Sequence, residues 1–587
     1  MSYLKISNRI IEWGIIFLII FTPIAFGAVH RWAYTLMELT ICFLAIIWII
    51  RLAIINTKKS SIVPSKSQIR NRKSTIVNPK SEILGPHHRA DRTRAGRNPQ
   101  PSLVNRLGFI KTPLNIPIIL FVGLILFQLA PLPPGVLKFL SPNTYELYKT
   151  TSPGWPTDKI QDFKSEIRNP WPKPQGGSHQ GRPKSEIVNP NSSLANPDPS
   201  NLKRSAPQTT NSSYRSLSIY KHATGTELYK ILAYIGIFLL IVNYNPSNRS
   251  RRPVSDRHRS QIKTFITRLI ITMIVIGSFE SFYGLLESLS GHQHIFFRQK
   301  VDHLGFVTGT YLNRNHFAGY LAIVICMGFG YLISTLSGSS NSNVTLRVRD
   351  STESATGWRQ KLSQIINSIG TGTGLLFFIL LIMSSALILS GSRMGICSFI
   401  AAIIIVGFVI SKKSSIKKTF LILIPVFLIA VWIGLNPVIK RFSQVSSELE
   451  SESGRIQVWK DTSVLIKDFP AMGTGLGTYE YAFPKYKTFK AQTIYDHAHN
   501  DYLELISDTG FTGFIIVIAG GAYYLFMVTR LWFKRRSPFV RCITSGCLGG
   551  IAYIMLHSFT DFNLQVPANA LHLSIITGIM HKTLTQL

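Results

Sequence analysis

Long apolar runs recur along this chain of 587 residues, and they constrain its fold more than any other feature. The hydrocarbon core of a bilayer needs about 20 apolar residues per helix. About twelve runs come close to that length, with approximate bounds 10–29, 33–55, 113–132, 226–245, 264–285, 316–337, 373–390, 394–410, 419–436, 511–529, 542–559 and 567–583. The sequence therefore predicts an all-α polytopic membrane protein with about twelve transmembrane helices.

The basic residues of the chain are arranged around these runs. The net charge is +35, with 63 Lys and Arg against 28 Asp and Glu. Connections at 56–112, 411–418 and 534–541 are all basic, as the positive-inside rule requires of cytoplasmic loops. The stretch 133–225 is also basic, but long loops cross the membrane largely regardless of charge. The pattern predicts two cytoplasmic termini and membrane lipid, rather than nucleic acid, as the partner of the charge.

These spans divide the chain into segments. Near copies of one heptapeptide, such as 73–79 in one segment and 164–170 and 184–190 in another, mark these two segments as insertions. The insertions are rich in Pro, Asn, Ser and Arg, a composition that predicts disorder, although a basic tether is an alternative. Lys5 and Arg9 precede the first run without a cleavage pattern, which predicts a retained first helix. The predicted order is helices 1 and 2 in 1–59, a cytoplasmic insertion in 60–108, helix 3 in 109–132, an outer loop in 133–225 with an insertion at 155–215, helices 4–9 in 226–436, an outer loop in 437–510 and helices 10–12 in 511–587.

A histidine-containing block, Tyr495-Asp-His-Ala-His-Asn-Asp-Tyr-Leu-Glu504, ends the second outer loop. His497 and His499 are candidate catalytic residues, because imidazole is the side chain best suited to proton transfer near neutral pH. Alternatively, both are surface histidines beside a helix that Asn500 or Asp501 caps. A zinc site is a further alternative, but no third ligand stands at a recognisable spacing.

Four arginines stand at the outer ends of predicted spans, where the positive-inside tendency should make them scarce. They are Arg298, Arg314, Arg393 and Arg455. A diphosphate at the outer leaflet would explain the set, since the guanidinium fork matches phosphate oxygens. The alternative is that each arginine merely extends its side chain to the membrane interface.

The same loop contains two further features. Residues 453–468 predict an amphipathic helix with Ile456, Trp459 and Leu465 near one stripe, which could lie on the outer leaflet. The following Gly473-Thr-Gly-Leu-Gly477 predicts a turn, with close backbone approach to a ligand as the alternative. A dinucleotide site is not predicted, because no βαβ unit surrounds these glycines.

Together these residues resemble the O-antigen ligase and polymerase superfamily of bacterial membrane proteins. The matching segments are YLNRNHFAGYL at 311–321, SGSRMG at 390–395, SGRIQVWKD at 453–461, GTGLGTY at 473–479 and HAHNDYLELISDTGFTG at 497–513. The likeness covers roughly 226–583, so helices 4–9 would be the ligase-like core. The insertions at 60–108 and 155–215 depart from the family pattern.

The resemblance implies a C-type glycosyltransferase fold in the bacterial inner membrane, with a large periplasmic catalytic loop between helices 9 and 10. Such an enzyme moves a glycan from undecaprenyl diphosphate to an acceptor sugar with inversion, and no metal or other cofactor is expected. The acceptor would be lipid A–core or a growing glycan. By this likeness Arg393 and one of Arg298 or Arg314 bind the diphosphate, Arg455 assists, and His499 or His497 activates the acceptor hydroxyl.

Two alternatives remain at the level of sequence. An O-antigen or exopolysaccharide polymerase would use the same residues. A polysaccharide transporter or flippase would need paired charges at mid-membrane and often an inverted repeat, which the spans do not show. Candidate intramembrane charges are Glu38, Glu227, Arg268 and Glu280, which could form a proton relay or pair structurally.

Overall fold

A computed structural model describes residues 2–60, 112–152, 155–156, 213–245, 256–339, 371–410, 454–489 and 495–587. These residues form two compact units, one from Met1–Leu129 with Ser218–Leu587 and the other from Ala130–Leu217. The predicted span 419–436 and most of both predicted insertions lie outside the described residues.

The larger unit is built almost entirely from helices. Its helices are α1 (Ser2–Ile24), α2 (Arg31–Ser60), α3 (Asn115–Leu129), α6 (Lys221–Asn243), α7 (Asp256–Ser290), α8 (Arg314–Ser339), α9 (Thr371–Leu389), α10 (Arg393–Ile410), α11 (Arg455–Asp468), α12 (Tyr479–Ala482), α13 (Asp501–Lys534), α14 (Pro538–His557) and α15 (Pro567–Gln586). A two-stranded antiparallel hairpin, β1 (His294–Ile295) with β2 (Arg298–Gln299), follows α7. The smaller unit supplies α4 (Pro134–Leu140) and α5 (Pro142–Thr151).

Seven helices of the described chain are long and apolar enough to cross a membrane, and two shorter ones, Asn115–Leu129 and Arg393–Ile405, are apolar as well. Every predicted span that falls in the described residues overlaps a helix. The prediction of a polytopic helical membrane protein is therefore confirmed, while the number twelve stays a prediction.

The centre of the larger unit is the crossing of α8 and α14. A Cβ added to Gly330 would lie 2.7 Å from the Cys542 carbonyl oxygen, and one added to Gly546 would lie 2.7 Å from that of Cys326. Small residues thus let the two backbones touch, as is common where membrane helices associate. The helices run antiparallel, so the first turn of α8 lies beside the end of α14.

Helix α13 begins ten residues earlier than predicted, and it is broken at Gly510, where φ is 65° and ψ is −178°. The first turns hold buried Asp501, Glu504 and Asp508, which kept them from being recognised as part of a membrane helix. The predicted loop 437–510 therefore ends at Asn500, whose side chain accepts hydrogen bonds from the N–H groups of Tyr502 and Leu503.

The predicted charges of the spans are mostly paired. Arg268 contacts Glu12 across 2.8 Å, and Lys230 contacts Glu227 across 2.6 Å. Glu280 is buried and accepts hydrogen bonds from the N–H and hydroxyl of one threonine. These contacts fit structural pairing, the simpler of the two predicted roles.

The smaller unit holds together through backbone and aromatic contacts. Leu132 and Arg215 exchange two backbone hydrogen bonds of 2.8 and 3.0 Å. Trp155 packs against Tyr145 and Tyr148 and donates its indole N–H to the Ser213 carbonyl. The described part of the predicted loop 133–225 therefore has its own helical structure.

Candidate active site

The His-Ala-His segment lies directly before α13 and is fixed on both sides. Glu504 of the first turn accepts hydrogen bonds from His497 Nδ1, at 2.8 Å, and from the Ala498 N–H, at 2.9 Å. From the other side, the Trp459 indole N–H donates to the Ala498 carbonyl at 3.1 Å. His499 follows with φ of 50°, a left-handed conformation that directs the chain into the Asn500 cap.

Asp561 is the centre of the site, in the short connection between α14 and α15. Its carboxylate is 1% exposed and lies 3.5 Å from His499 Nδ1, 3.8 Å from His316 Nε2 and 3.6 Å from Arg455 Nη2. Arg455 also donates to the Thr560 carbonyl at 2.7 Å. We call His316, Arg455, His499 and Asp561 the Asp561 cluster.

Electrostatics hold the central carboxylate in its ionised form. Burial alone would raise the pKa of Asp561, but the facing imidazoles of His316 and His499 and the guanidinium of Arg455 lower it well below its usual range. A carboxylate with so low a pKa is a weak base. Its chemical use is to orient and charge-balance its neighbours.

The next residue, Phe562, packs against three imidazole rings. Its ring centroid lies 4.3 Å from that of His497 in a stacked contact, 4.5 Å from that of His316 and 4.9 Å from that of His499, both edge-on. Histidines from two distant parts of the sequence are thereby held around one phenyl ring.

Helix α13 is tied to this same connection. The Ser558 hydroxyl donates to the Asp501 carboxylate at 2.6 Å, and the Leu564 N–H donates to it at 3.2 Å. The Asp501 N–H in turn donates to the Ser558 carbonyl at 2.9 Å. These bonds keep the histidine segment and Asp561 in register.

His497 has a different environment from His499. Burial opposes its charge, but the carboxylate of Glu504 and the hydrogen bond to it raise the pKa of His497. The stability that this contact gives is present below the unfolded-state pKa and is lost as the pH rises through the folded-state pKa.

The four predicted arginines divide into three groups. Arg455 belongs to the Asp561 cluster. Arg314 and Arg393 both lie near Phe306, since the Arg314 guanidinium is 4.3 Å from that ring and the turn just before Arg393 abuts it at Gly391. Arg298 lies elsewhere, on strand β2, where its Nη1 is 3.2 Å from His30 Nε2.

His303 is influenced by basic groups from the neighbouring segments. Burial, and then the Arg314 guanidinium, lower the pKa of His303 to about 4, while the Asp302 carboxylate acts in the opposite direction and His316 and Lys300 act in the same one. Burial is thus the main cause of the shift, with cationic neighbours adding to it.

Helix α11 is present as predicted, but its buried face differs. Val458, Asp461 and Leu465 are buried, whereas Ile456 is exposed. The buried face of α11 is covered by the protein itself, because it packs into a cluster with Tyr479, Phe483 and Ala498. The helix therefore supports the histidine segment, and the expected apolar stripe was wrong at Ile456.

The glycine turn packs into the break of α13. Thr474 and Gly475 donate backbone hydrogen bonds to the carbonyls of Ser507 and Asp508, each at 2.9 Å. The Gly477 N–H donates to the Asp508 carboxylate at 2.6 Å. The turn is confirmed, and its close backbone approach is to α13.

Sequence reasoning missed His316, Glu504, Asp561 and Phe562. His316 and Glu504 lie inside motifs that were recognised, but no role was assigned to them. The signal for Asp561 was an acidic residue in a connection of only a few residues between two spans. Within the described ranges, no group of three or more His, Cys, Asp or Glu side chains is arranged to hold a metal ion.

The fold and site define a multi-pass helical membrane protein with a polar cluster of imidazole, guanidinium and carboxylate groups at one end of its helix bundle. A family model described as O-antigen ligase matches residues 378–518, so this segment of the chain is similar to the O-antigen ligase superfamily. A search of curated proteins finds no match.

The matched segment runs from α9 into α13 and contains Arg393, Arg455, His497 and His499. It does not reach Arg314, His316 or Asp561. The match supports glycosyltransferase-like activity of the O-antigen ligase or polymerase type in general.

Proposed function

We propose that this protein is an O-antigen ligase that transfers a glycan from undecaprenyl diphosphate to a sugar of lipid A–core at the periplasmic face. The observation that carries the proposal is the Asp561 cluster, because it joins His499 to a guanidinium and an ionised carboxylate at the helix ends. Chain segments far apart in sequence supply these groups. Bringing charged groups together in a buried position is unfavourable, so a purely structural role explains them less well.

In the proposed reaction, His499 accepts the proton of the acceptor hydroxyl. The hydroxyl oxygen forms a bond to the anomeric carbon while the bond to the diphosphate oxygen breaks, and the electron pair leaves with the diphosphate. A single displacement of this kind inverts the anomeric centre. Asp561 orients the imidazole and balances its positive charge, as a carboxylate does for a catalytic histidine in other enzymes.

The arginines would hold the departing diphosphate. We assign this role to Arg393 and Arg314, whose common neighbour is Phe306, with assistance from Arg455. Arg298 is the less favoured candidate, because it lies against His30. Cations fixed where negative charge develops lower the barrier, and no metal is required for this step.

Complementation of a knockout strain tests the proposal, with lipopolysaccharide gels as the readout. His499→Ala should abolish the ladder, since loss of a general base costs about 10²–10⁴-fold in rate. Arg393→Ala should abolish it as well, since the variant loses a cation that stabilises the departing diphosphate. His222→Ala, an exposed histidine outside the site, is the matched control and should restore the ladder. Normal ladders from both site variants at normal expression would refute the proposal.

The same strain separates ligase from polymerase. Loss of a ligase should leave long lipid-linked polymer beside bare core. Loss of a polymerase should leave core carrying single repeat units, and that result would transfer the same site to the polymerase function.

A further inference from the structure

The two histidines of the site are held in different ways. His497 is fixed at Nδ1 by the Glu504 carboxylate at 2.8 Å and across its face by Phe562 at 4.3 Å. His499 has Nδ1 3.5 Å from Asp561, beyond an ordinary hydrogen bond, and meets Phe562 only edge-on. The His497 imidazole is therefore held at Nδ1 by a hydrogen bond, whereas the His499 imidazole is held less tightly and is the better candidate to accept a proton.

The clamp on His497 is built into α13. The Glu504 side chain is 3% exposed and accepts two hydrogen bonds, one from the His497 ring and one from the Ala498 N–H. Its position in the first helical turn is set by the Asn500 cap. A buried carboxylate that accepts two hydrogen bonds holds both the imidazole ring and the backbone of the segment in place.

We propose that Glu504 is a positioning residue that, through its hydrogen bond to Nδ1, favours the protonated form of His497, so that His497 binds an anionic oxygen of the substrate while His499 acts as the base. The proposal rests on the proposed function and deepens it. A protonated imidazole has no free lone pair and cannot accept the acceptor proton. Its second N–H, at Nε2, has no hydrogen-bond partner among the described residues and is available to a phosphate oxygen.

The charged groups around His497 agree with this assignment. Glu504 is the nearest, and the carboxylates of Asp496 and Glu227 act in the same direction from further away, which together raise the pKa of His497 despite burial. The other groups that face it are His316 and His499, which contact the same Phe562 ring, and Arg455, which lies beside the Asp561 carboxylate.

The experiment is the pH dependence of kcat/KM for glycan transfer by the full-length protein in nanodiscs, with a lipid-linked donor. Glu504→Gln keeps an oxygen for the Ala498 N–H but removes the charge. The alkaline limb of the profile should then move to lower pH by about one to three units, the usual effect of an opposite charge within 4–6 Å. Glu480→Gln, an exposed acid on α12, is the control and should leave the profile unchanged.

A merely structural role for Glu504 would lower the rate without moving the profile, and that result would overturn the proposal. A second pair of variants decides the case if Glu504→Gln does not fold. His497→Lys keeps a cation and should transfer glycan at least tenfold faster than His497→Gln. Equal rates for the two would also overturn it.

Failure of the proposed function would appear in the wild-type protein, as the absence of any transfer from the lipid-linked donor. Failure of the inference would appear as normal wild-type transfer with an unmoved profile in Glu504→Gln.

Discussion

At the scale of single residues, the site depends on a carboxylate that never needs to titrate. Asp561 is buried among His316, His499 and Arg455, and its pKa is held well below its usual range. Its stabilising contribution is present above the unfolded-state pKa and is lost only as the pH falls through the much lower folded-state value. Over the working range of pH, Asp561 is a constant negative charge.

Replacing that charge gives the first residue-scale prediction. Asp561→Asn keeps the shape but leaves three cationic or imidazole groups without their counter-charge. We expect glycan transfer to fall by about 10²-fold or more, since a wrongly oriented base loses most of its effect. Transfer rates and melting temperature of the purified protein measure the two consequences separately.

The matched control for this change is Glu480→Gln, at an exposed acid on α12 outside the site. It should retain nearly full transfer. An Asp561→Asn protein that folds normally and transfers at the wild-type rate would remove Asp561 from the site.

Part of this residue-scale structure was predictable. The histidines, Arg455 and the Asn500 cap lie in local motifs that can be recognised, although the partner of His499 and Arg455 is the distant Asp561. The pairing of His316 with Asp561 was not predictable, because a short local pattern carries no signal of which helix ends meet. Arg298 shows the same limit, since its position resembled that of Arg314 in sequence but not in space.

At the scale of elements, the break in α13 organises the segment that precedes the helix. Gly510 adopts φ of 65°, and a Cβ there would lie 2.2 Å from the Ala471 carbonyl oxygen. The Phe511 N–H, freed from the helix, donates to the Pro470 carbonyl at 2.8 Å. Loop and helix thus satisfy backbone groups that a break in a helix would otherwise leave unpaired.

A second prediction tests this break. Gly510→Ala should destabilise the protein by about 1–3 kcal/mol, because alanine at this backbone conformation is strained and its Cβ meets a backbone oxygen. Gly521→Ala in the same helix meets nothing within 4 Å and should be neutral or slightly stabilising.

Thermal unfolding in nanodiscs compares the two variants directly. Equal melting temperatures would show that Gly510 is not required by the break. The wild-type protein, measured in the same lipid, provides the reference.

The elements also show why the boundaries of helices are the hardest part to predict. The hydropathy of α13 begins at Phe511, so the polar turn from Asp501 was assigned to the loop. The buried acids there are satisfied by tertiary partners such as Ser558, which no local pattern reveals. Long apolar helices, in contrast, were predicted correctly, since their length alone identifies them.

At the scale of the whole molecule, orientation is the prediction that the proposed function requires. Residues 511–534 are about 36 Å long at 1.5 Å per residue, enough to cross a core of about 30 Å. Asp496 and Arg536 flank this helix at opposite ends, and both are exposed. The basic group at 534–536 predicts that Arg536 faces the cytoplasm.

Cysteine labelling measures this orientation. Asp496→Cys and Arg536→Cys would each be introduced into a variant whose five cysteines are replaced by serine. A membrane-impermeant maleimide applied to intact spheroplasts should label position 496, and should label position 536 only after permeabilisation. The reverse pattern would place the site in the cytoplasm and remove the periplasmic reaction.

The position of Asp561 and Phe562 between α14 and α15 has a consequence for biosynthesis. Ribosomes deliver the chain from its N-terminus, so the histidine segment and Arg455 enter the membrane before their counter-charge exists. The Asp561 cluster closes only when the connection between α14 and α15 has been synthesised. A shorter nascent chain holds His499 and Arg455 without the carboxylate that they share in the folded protein.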